Sequence, residues 1–257
     1  MPHLTPDLDL SDPNLDTTLT HCGNTLCIEE ARRDYTAAFL RAFEYLYIES
    51  IMGDVMEFGA YGGFTARILA EQMNRFNAKG DLLLFDTFSG FPVSTATQDT
   101  QSPKLATQKT WVEGELSAPR GIVEHITDRL CRFFDRSRLR VIKGLFQDTL
   151  PVAVEGRKLC LLHLDCDLYE STSYVLDTLE KAGALQDGMV VLFDDFYCNR
   201  ANPQYGEQAA LRDFLKKHKR WQASPWFTYS WGAAAYFLHD KKAQKPTQGF
   251  WRLFRGM

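Results

Sequence analysis

The stretch that decides the fold reads K-L-C-L-L-H-L-D-C-D-L-Y-E-S-T and runs from Lys158 to Thr172. Its first part is an almost uninterrupted apolar run, which predicts a strand buried on both faces of a parallel sheet. The run ends on Asp165 and Asp167, and a second apolar run ends in the same way on Asp194 and Asp195. In an open α/β sheet, ligands bind beyond the carboxyl ends of the strands. We therefore expect the four acids to share one crevice, as a metal site or an acid–base site.

Strands and helices alternate on both sides of this stretch. Strands are predicted over 54–58, 82–85, 139–142, 159–164, 189–193, 227–230 and 233–238. Helices are predicted over 28–51, 64–77, 121–134, 169–184 and 206–218. Because crossovers between parallel strands are right-handed, this order predicts a doubly wound α/β fold. Its sheet would have seven mostly parallel strands, with an antiparallel strand at one edge.

A single domain accounts for most of the chain. The expected boundaries are an N-terminal arm at 1–27, one domain at 28–240 and a C-terminal tail at 241–257. Residues 93–119 are rich in Thr, Gln and Ser and show little apolar periodicity. A connection of this length inside a compact domain is usually functional or disordered. We predict a lid loop here, because Leu105, Trp111 and Leu116 give the segment side chains with which to pack.

The composition excludes several classes of protein. With 257 residues, 45% hydrophobic and 24% charged, the chain can bury a sizeable core. A formal net charge of −4 gives no general attraction to nucleic acid or to an anionic membrane. No apolar run approaches the roughly 18–20 residues that span a bilayer, and the N-terminus does not resemble a secretory signal. The six cysteines include no C-x-x-C pair, so we expect reduced thiols, no structural zinc and a cytoplasmic protein.

A glycine-rich turn, E-F-G-A-Y-G-G from Glu57 to Gly63, joins the first predicted strand to a helix. Such glycines let the backbone approach a ligand closely. The turn lacks the G-x-G-x-x-G spacing of a dinucleotide site, and no phosphate loop follows it. Asp86 ends the second strand, where its carboxylate can accept hydrogen bonds from ribose hydroxyls. An acid before the turn and one after the next strand suggest S-adenosylmethionine, although a purely structural turn stays open.

Five motifs resemble those of one enzyme family. They are V-M-E-F-G-A-Y-G-G-F, L-F-D-T-F-S-G-F-P, K-G-L-F-Q-D-T-L-P, L-D-C-D-L-Y-E-S-T and F-D-D-F. Over about residues 29–240 the chain resembles the class I S-adenosylmethionine-dependent methyltransferases of the TylF type, the macrocin and novobiocin-sugar O-methyltransferases. The resemblance implies a Rossmann-like methyltransferase sheet.

The resemblance also assigns roles to the acids. It implies that Asp165, Asp194 and Asp195 bind a divalent cation, usually Mg²⁺, and that Asp167 is the general base. Converging carboxylates repel one another, and a hard divalent cation relieves that repulsion. A helix-capping role is the alternative for Asp167. Cys166 stands where the family usually has glycine, which puts the placement of the substrate in doubt.

The predicted cofactor contacts lie at the ends of the first three strands. They are Glu57, Gly59, Tyr61, Gly62, Asp86, Thr87 and Asp148. Asp148 could instead cap a short turn. His163 reads as a core histidine with satisfied hydrogen bonds, and Gln208 could reach the substrate. Trp111, Tyr229 and Trp231 are candidates for stacking against a sugar.

The leading hypothesis is a metal-dependent O-methyltransferase that acts on a hydroxyl of a sugar, carried by a natural product or a polysaccharide. A catechol-like diol is an alternative acceptor, because a metal also chelates it. A catalytically silent binding or scaffold protein with the same fold is the alternative from another class. The resemblance further implies a homo-oligomer, a dimer or larger.

Overall fold

Strands and helices alternate along residues 25–243, the part of the chain that the computed structural model describes, with side chains from Ala31 onward. The helices are α1 Thr25–Ile48, α2 Phe64–Arg75, α3 Thr97–Thr100, α4 Ile122–Leu130, α5 Phe146–Ala153, α6 Tyr169–Lys181 and α7 Gly206–Lys217. The strands are β1 Asp54–Phe58, β2 Leu82–Asp86, β3 Leu139–Lys143, β4 Leu159–Leu164, β5 Met189–Phe193, β6 Trp221–Tyr229 and β7 Ala233–Asp240. Most of the predicted arm and tail lies outside the described residues.

The seven strands form one sheet in the order β3-β2-β1-β4-β5-β7-β6. Strands β1 to β5 run parallel to one another, whereas β7 runs antiparallel to its neighbours β5 and β6. The predicted doubly wound, mostly parallel sheet is therefore confirmed, with two strands in its antiparallel edge. The carboxyl ends of β1, β2, β4 and β5 meet along one side of the sheet, and the candidate acids follow these ends.

Helices cover both faces of the sheet. On one face α1, α2 and α4 bury a core that includes Phe39, Leu69 and Ile126. On the other face α5, α6 and α7 bury a second core that includes Leu179 and Phe214. Every residue of β4 is buried, as expected for a strand covered on both sides. Polar groups that meet a ligand are therefore concentrated at the ends of the strands.

Helix α5 is absent from the sequence prediction. It forms within K-G-L-F-Q-D-T-L-P, although Pro151 lies inside the helix. Proline removes the amide that would bond to the carbonyl four residues earlier. That carbonyl belongs to Gln147, and it accepts a hydrogen bond from the Tyr174 hydroxyl of α6 at 3.4 Å. A contact with a neighbouring helix thus replaces the bond that proline removes.

Strand β6 is longer than predicted, since it begins at Trp221 rather than at residue 227. Pro225 lies within it and the register with β7 shifts between Pro225 and Phe227. Proline is tolerated in a strand at a sheet edge or at a bulge, and β6 provides both.

The described residues 25–243 bear on two expectations, the absence of a membrane-spanning segment and the presence of reduced thiols. None of the helices in this range combines the length and the apolar character that crossing a bilayer would require. Cys131, Cys160, Cys166 and Cys198 all carry free thiols.

Candidate active site at the carboxyl edge of the sheet

Three carboxylates meet where β4 and β5 end. One oxygen from each of Asp165, Asp194 and Asp195 lies within 4.8 Å of the others. The ladder hydrogen bonds fix their positions, because the Asp165 amide donates to Phe58 O and the Asp194 amide donates to Leu164 O. The structure brings together the three predicted metal ligands, as adjacent parallel strands require.

Asp167 lies beside this cluster and is buried. Its backbone is left-handed, with φ of 61°, which is uncommon for a residue other than glycine. It does not cap α6, since Leu168 precedes that helix and the carboxylate of Asp99 accepts the Tyr169 amide at 2.8 Å. The capping alternative for Asp167 is therefore excluded.

Burial and the charges of neighbouring acids raise the pKa of Asp165, Asp167 and Asp195. Burial raises the pKa of Asp165 well above its ordinary value, and Asp194, Asp195 and Asp167 raise it further. Burial likewise raises the pKa of Asp167, and a hydrogen bond with Asp195 adds to the effect. A cluster that resists ionisation in this way fits a divalent cation, which would favour the charged carboxylates.

The glycine turn is shaped by the acid site itself. Gly59 has φ of 99°, and a β-carbon there would lie 1.7 Å from the backbone oxygen of Asp165. Only glycine allows β1 and β4 to end so close together. Asp86 then ties the turn to β2, because it accepts the Tyr61 amide at 2.8 Å and the Phe88 amide at 2.6 Å. Burial raises the pKa of Asp86 despite these hydrogen bonds.

The predicted cofactor residues divide into two groups. Six of them lie at the ends of β1 and β2 or in the loops that follow these strands: Glu57, Gly59, Tyr61, Gly62, Asp86 and Thr87. Glu57 is fully buried, and its Oε2 atom has no hydrogen-bond partner among the described residues. An unpaired buried oxygen of this kind fits a ligand amine. Asp148 lies in the first turn of α5 and is exposed, so its contact with a cofactor stays a prediction.

The sequence comparison now decides the family. The sequence model of the macrocin O-methyltransferase (TylF) family matches residues 30–224. The chain belongs to the TylF family. The matched range contains the whole of the acid site and the glycine turn.

Individual relatives are more distant. A relative from Streptomyces olivaceus, 8-demethyl-8-(2,3-dimethoxy-alpha-L-rhamnosyl)-tetracenomycin-C 4'-O-methyltransferase, is 29% identical over 157 residues. That match covers 60% of this chain and 56% of the relative, little more than half of its length. The O-methyltransferase NovP is similar in structure, with a TM-score of 0.62, 20% identity and coverage of 82% of this chain and 80% of NovP. The calicheamicin methyltransferase CalS11 has a TM-score of 0.62, 23% identity and coverage of 86% of each chain. At these identities the structural likeness shows the fold.

Two side chains that the TylF motifs did not single out contact the acids. The Tyr35 hydroxyl, from α1, donates to Asp194 Oδ1 at 2.6 Å. Glu207, at the start of α7, is fully buried, and its Oε2 atom accepts the Asp195 amide at 3.0 Å. Burial raises the pKa of Glu207, and Asp195 and Asp194 raise it further. Glu207 directly precedes Gln208, which the sequence suggested as a substrate contact. An acid at the start of a predicted helix was the one signal that could have pointed to Glu207.

His163 connects the two halves of the site. Its Nδ1 atom lies 2.9 Å from Glu57 Oε1, and its Nε2 atom lies 3.8 Å from Asp194 Oδ1. Burial alone would lower the pKa of His163, but Asp194 and Glu57 outweigh burial and raise the pKa to about 9. The prediction of a core histidine with satisfied hydrogen bonds is correct as to burial but wrong as to the hydrogen bonds, because Nε2 has no hydrogen-bond partner among the described residues. The ring lies between a predicted cofactor residue and a predicted metal ligand.

Residues 93–119 pack over the acid site. Trp111 forms a small apolar cluster with Leu168 and Cys198, against which Leu105 also packs. Leu168 follows Asp167, and the Cys198 thiol donates to Asp195 Oδ1 at 2.7 Å. The segment contains α3 and a π-helix at Pro103–Gln108, which the sequence did not predict. Its ability to open and close as a lid stays a prediction.

Proposed function

We propose that the chain is an O-methyltransferase that moves a methyl group from S-adenosylmethionine to a hydroxyl of a sugar, with a divalent cation such as Mg²⁺ in the site. The sugar would belong to a glycosylated natural product or a polysaccharide. One observation carries the proposal: the carboxylates of Asp165, Asp194 and Asp195 converge beside the buried carboxyl of Asp167. Membership of the TylF family supports it.

The residues at the ends of β1 and β2 suit S-adenosylmethionine. The unpaired Oε2 atom of Glu57 can accept from the amino group of the methionine part. Asp86 accepts two backbone amides, and its remaining lone pairs can accept from ribose hydroxyls. When bound, the cofactor supplies the methyl group on a sulfonium leaving group. The chain then has to hold donor and acceptor at the right distance and orientation.

Asp165, Asp194 and Asp195 would hold the cation, since Mg²⁺ prefers oxygen ligands. When bound, the cation supplies a Lewis acid that lowers the pKa of an acceptor hydroxyl. Tyr35 fixes the orientation of Asp194 through its hydrogen bond, and Glu207 fixes the backbone of Asp195. These contacts would keep the ligand oxygens in place.

Asp167 is the residue to which we assign proton removal. Without a cation, burial and the hydrogen bond with Asp195 raise the pKa of Asp167, so this carboxyl tends to hold a proton. If Asp195 served as a cation ligand, it would no longer accept that hydrogen bond, and the ionised form of Asp167 would be favoured. The ionised carboxylate then accepts the hydroxyl proton as the acceptor oxygen attacks the methyl carbon.

The acceptor class is drawn from the relatives. The Streptomyces olivaceus relative is named for methylation at the 4' position of a compound that carries a rhamnosyl group. That name supports a sugar as the acceptor of this chain too. We therefore propose a sugar as the acceptor, and experiment has to determine which of its hydroxyls is methylated.

The test is transfer of a labelled methyl group from S-adenosylmethionine to a panel of glycosides and catechols. We expect a glycoside product, loss of activity in EDTA and recovery on addition of Mg²⁺. Asp167→Asn and Asp195→Asn should both abolish transfer. Asp128→Asn, which changes an exposed acid on α4, is the control and should leave the rate unchanged. Transfer that survives EDTA and Asp195→Asn would refute the metal role, and methylation of catechols alone would refute the sugar.

A further inference from the structure

Beside the acid site, the side chain of a lysine lies between two indole rings. Lys104 Nζ is 4.9 Å from the ring centroid of Trp111 and 6.0 Å from that of Trp231. The two rings differ in surroundings, because Trp111 is 8% exposed whereas Trp231 is 76% exposed. Trp111 belongs to the packed structure, while Trp231 presents most of its indole surface to the solvent.

This arrangement packs against residues that adjoin the acids. Trp111 packs with Leu168, which follows Asp167, and with Cys198, whose thiol donates to Asp195. On the other side, the turn that carries Trp231 continues into Gly232. A β-carbon on Gly232 would lie 3.9 Å from the backbone oxygen of Asp194. Trp231 and Lys104 are therefore linked to the acids through Gly232, Leu168 and Cys198.

The backbone that holds Lys104 is strained. The Lys104 amide donates to Asn199 Oδ1 at 3.1 Å. Asn199, Arg200 and Ala201 are three consecutive left-handed residues, with φ of 57°, 60° and 55°. Arg200 and Ala201 adopt this conformation at a cost of about 1–2 kcal/mol each, whereas asparagine tolerates it. Strain of this kind is concentrated at functional sites. Here the strained segment positions Asn199, whose side chain accepts the hydrogen bond from the Lys104 amide.

The ammonium group has unused hydrogen-bonding capacity. Among the side chains described from residue 31 to residue 243, none forms an ion pair or hydrogen bond with Lys104 Nζ. An ammonium group carries three hydrogen-bond donors. The faces of the indole rings attract its charge, but they offer no oxygen atom to accept these hydrogen bonds.

We propose that Trp231 and Lys104 form the subsite that receives the sugar ring of the acceptor. The apolar C–H face of a pyranose packs on the exposed indole of Trp231, and Lys104 Nζ donates to an oxygen of the same ring. Lys104 and Trp231 are thus specificity-determining residues, and Trp111 is the positioning residue behind Lys104. This inference rests on the proposed function, since it names how the same site binds its acceptor.

The experiment measures the KM for the acceptor, the kcat and the cofactor affinity of four variants, with the best glycoside from the panel as substrate. Lys104→Met keeps the length and apolar contacts of the side chain but removes its charge and donors. Trp231→Ala removes the platform, whereas Trp231→Phe retains an aromatic face. Lys109→Met, five residues further along the same segment, is the matched control because Lys109 is exposed.

We expect Lys104→Met and Trp231→Ala each to raise the KM for the acceptor about tenfold, with kcat changed less than about threefold. The cofactor affinity and the melting temperature should stay at the wild-type values. Trp231→Phe should recover most of the loss, and Lys109→Met should behave as the wild type. An unchanged KM for the acceptor in both variants, or an equal loss of cofactor affinity, overturns the subsite.

A second measurement separates this inference from the proposed function. Saturation-transfer NMR with methyl α-L-rhamnopyranoside reports contact with the sugar even if no methyl group is transferred. A signal from the wild type that is lost in Trp231→Ala and Lys104→Met supports the subsite, whatever the activity. A wild type that methylates glycosides while its two variants keep the full NMR signal refutes the subsite and leaves the proposed function intact.

Discussion

Asp99 caps α6, and Glu170 of α6 binds the backbone that leads into the helix of Asp99. The carboxylate of Asp99 accepts the amides of Tyr169 and Glu170 at the start of α6, at 2.8 and 3.0 Å. In return, Glu170 Oε2 accepts the amides of Thr95 and Ala96 just before α3, at 2.8 and 3.2 Å. Residues 93–119 are thereby fixed to the helix that begins two residues after Asp167. The position of the segment and the position of the candidate base are coupled.

We predict that Asp99→Ala loosens the segment and destabilises the protein. The change leaves two amides at the N-terminus of α6 without their acceptor, which costs about 1–2 kcal/mol. Hydrogen exchange should rise across residues 94–111, and urea denaturation should show the lower free energy of unfolding. Asp128→Ala is the control, since Asp128 is exposed on α4. Exchange unchanged in the segment would show that Trp111 and its cluster hold it without Asp99.

The hydrogen bonds that the Glu170 carboxylate accepts predict that the stability of the protein depends on pH. Burial acts to raise the pKa of Glu170, but hydrogen bonds from Ser94, Thr95 and Ala96 outweigh it and lower the pKa. A lowered pKa in the folded state means that the contribution of Glu170 to stability is complete above its unfolded pKa of about 4.3. The contribution is lost as the pH falls through the folded pKa.

Glu170→Gln isolates this effect. The difference in unfolding free energy between the wild type and Glu170→Gln should be constant from pH 6 to pH 7 and shrink as the pH falls below about 4.3. Denaturant titrations across this range measure it. A difference that grows on acidification would mean that the sign of the pKa shift is wrong.

Tyr35→Phe tests the support of a predicted metal ligand. The substitution removes the 2.6 Å hydrogen bond to Asp194 Oδ1 and leaves the ring in place. Loss of a hydrogen bond to a metal ligand typically weakens metal binding about 10-fold to 100-fold. We expect a loss in this range for Mn²⁺ by calorimetry. Tyr45→Phe is the matched control, because that hydroxyl donates to Gly188 O near the start of β5. If both substitutions weakened Mn²⁺ binding equally, the hydrogen bond from Tyr35 would have no specific role in metal binding.

Gly59→Ala tests the close approach of β1 to β4. Its β-carbon would overlap the backbone oxygen of Asp165, and the φ of 99° is strained for alanine. We expect a loss of about 3 kcal/mol or more in unfolding free energy. Gly183→Ala separates the two causes, since Gly183 has φ of 67° but no atom near its β-carbon. That variant should lose only about 1 kcal/mol. Similar losses in both would mean that the overlap is relieved easily.

The sequence predicted the parts of the site that belong to strand ends. An apolar run that stops on Asp165 shows where the strand ends, and parallel pairing then places Asp194 and Asp195 beside it. Tyr35 and Lys104 could not be predicted in this way. They reach the site from α1 and from a segment without periodicity, so only the packing of the whole domain shows which acids they face.

Local rules also explain two of the errors in the fold. Helix α5 was missed because Pro151 contradicts a helix unless a neighbour satisfies the Gln147 carbonyl, and that neighbour is Tyr174, 27 residues along the chain. The start of β6 was missed because Pro225 argues against a central strand. Its place at the sheet edge, where proline is tolerated, follows from the topology and cannot be read from the segment itself.

The most direct test of the account is calorimetric titration of Mn²⁺ into the wild type, Asp195→Asn and Asp167→Asn, combined with the methyl-transfer rate of each. We predict one cation per chain in the wild type and in Asp167→Asn, and none in Asp195→Asn. Transfer should be lost in both variants, because one lacks the base and the other the cation. A wild type that binds no cation, or Asp195→Asn that binds it as tightly as the wild type does, would contradict the account.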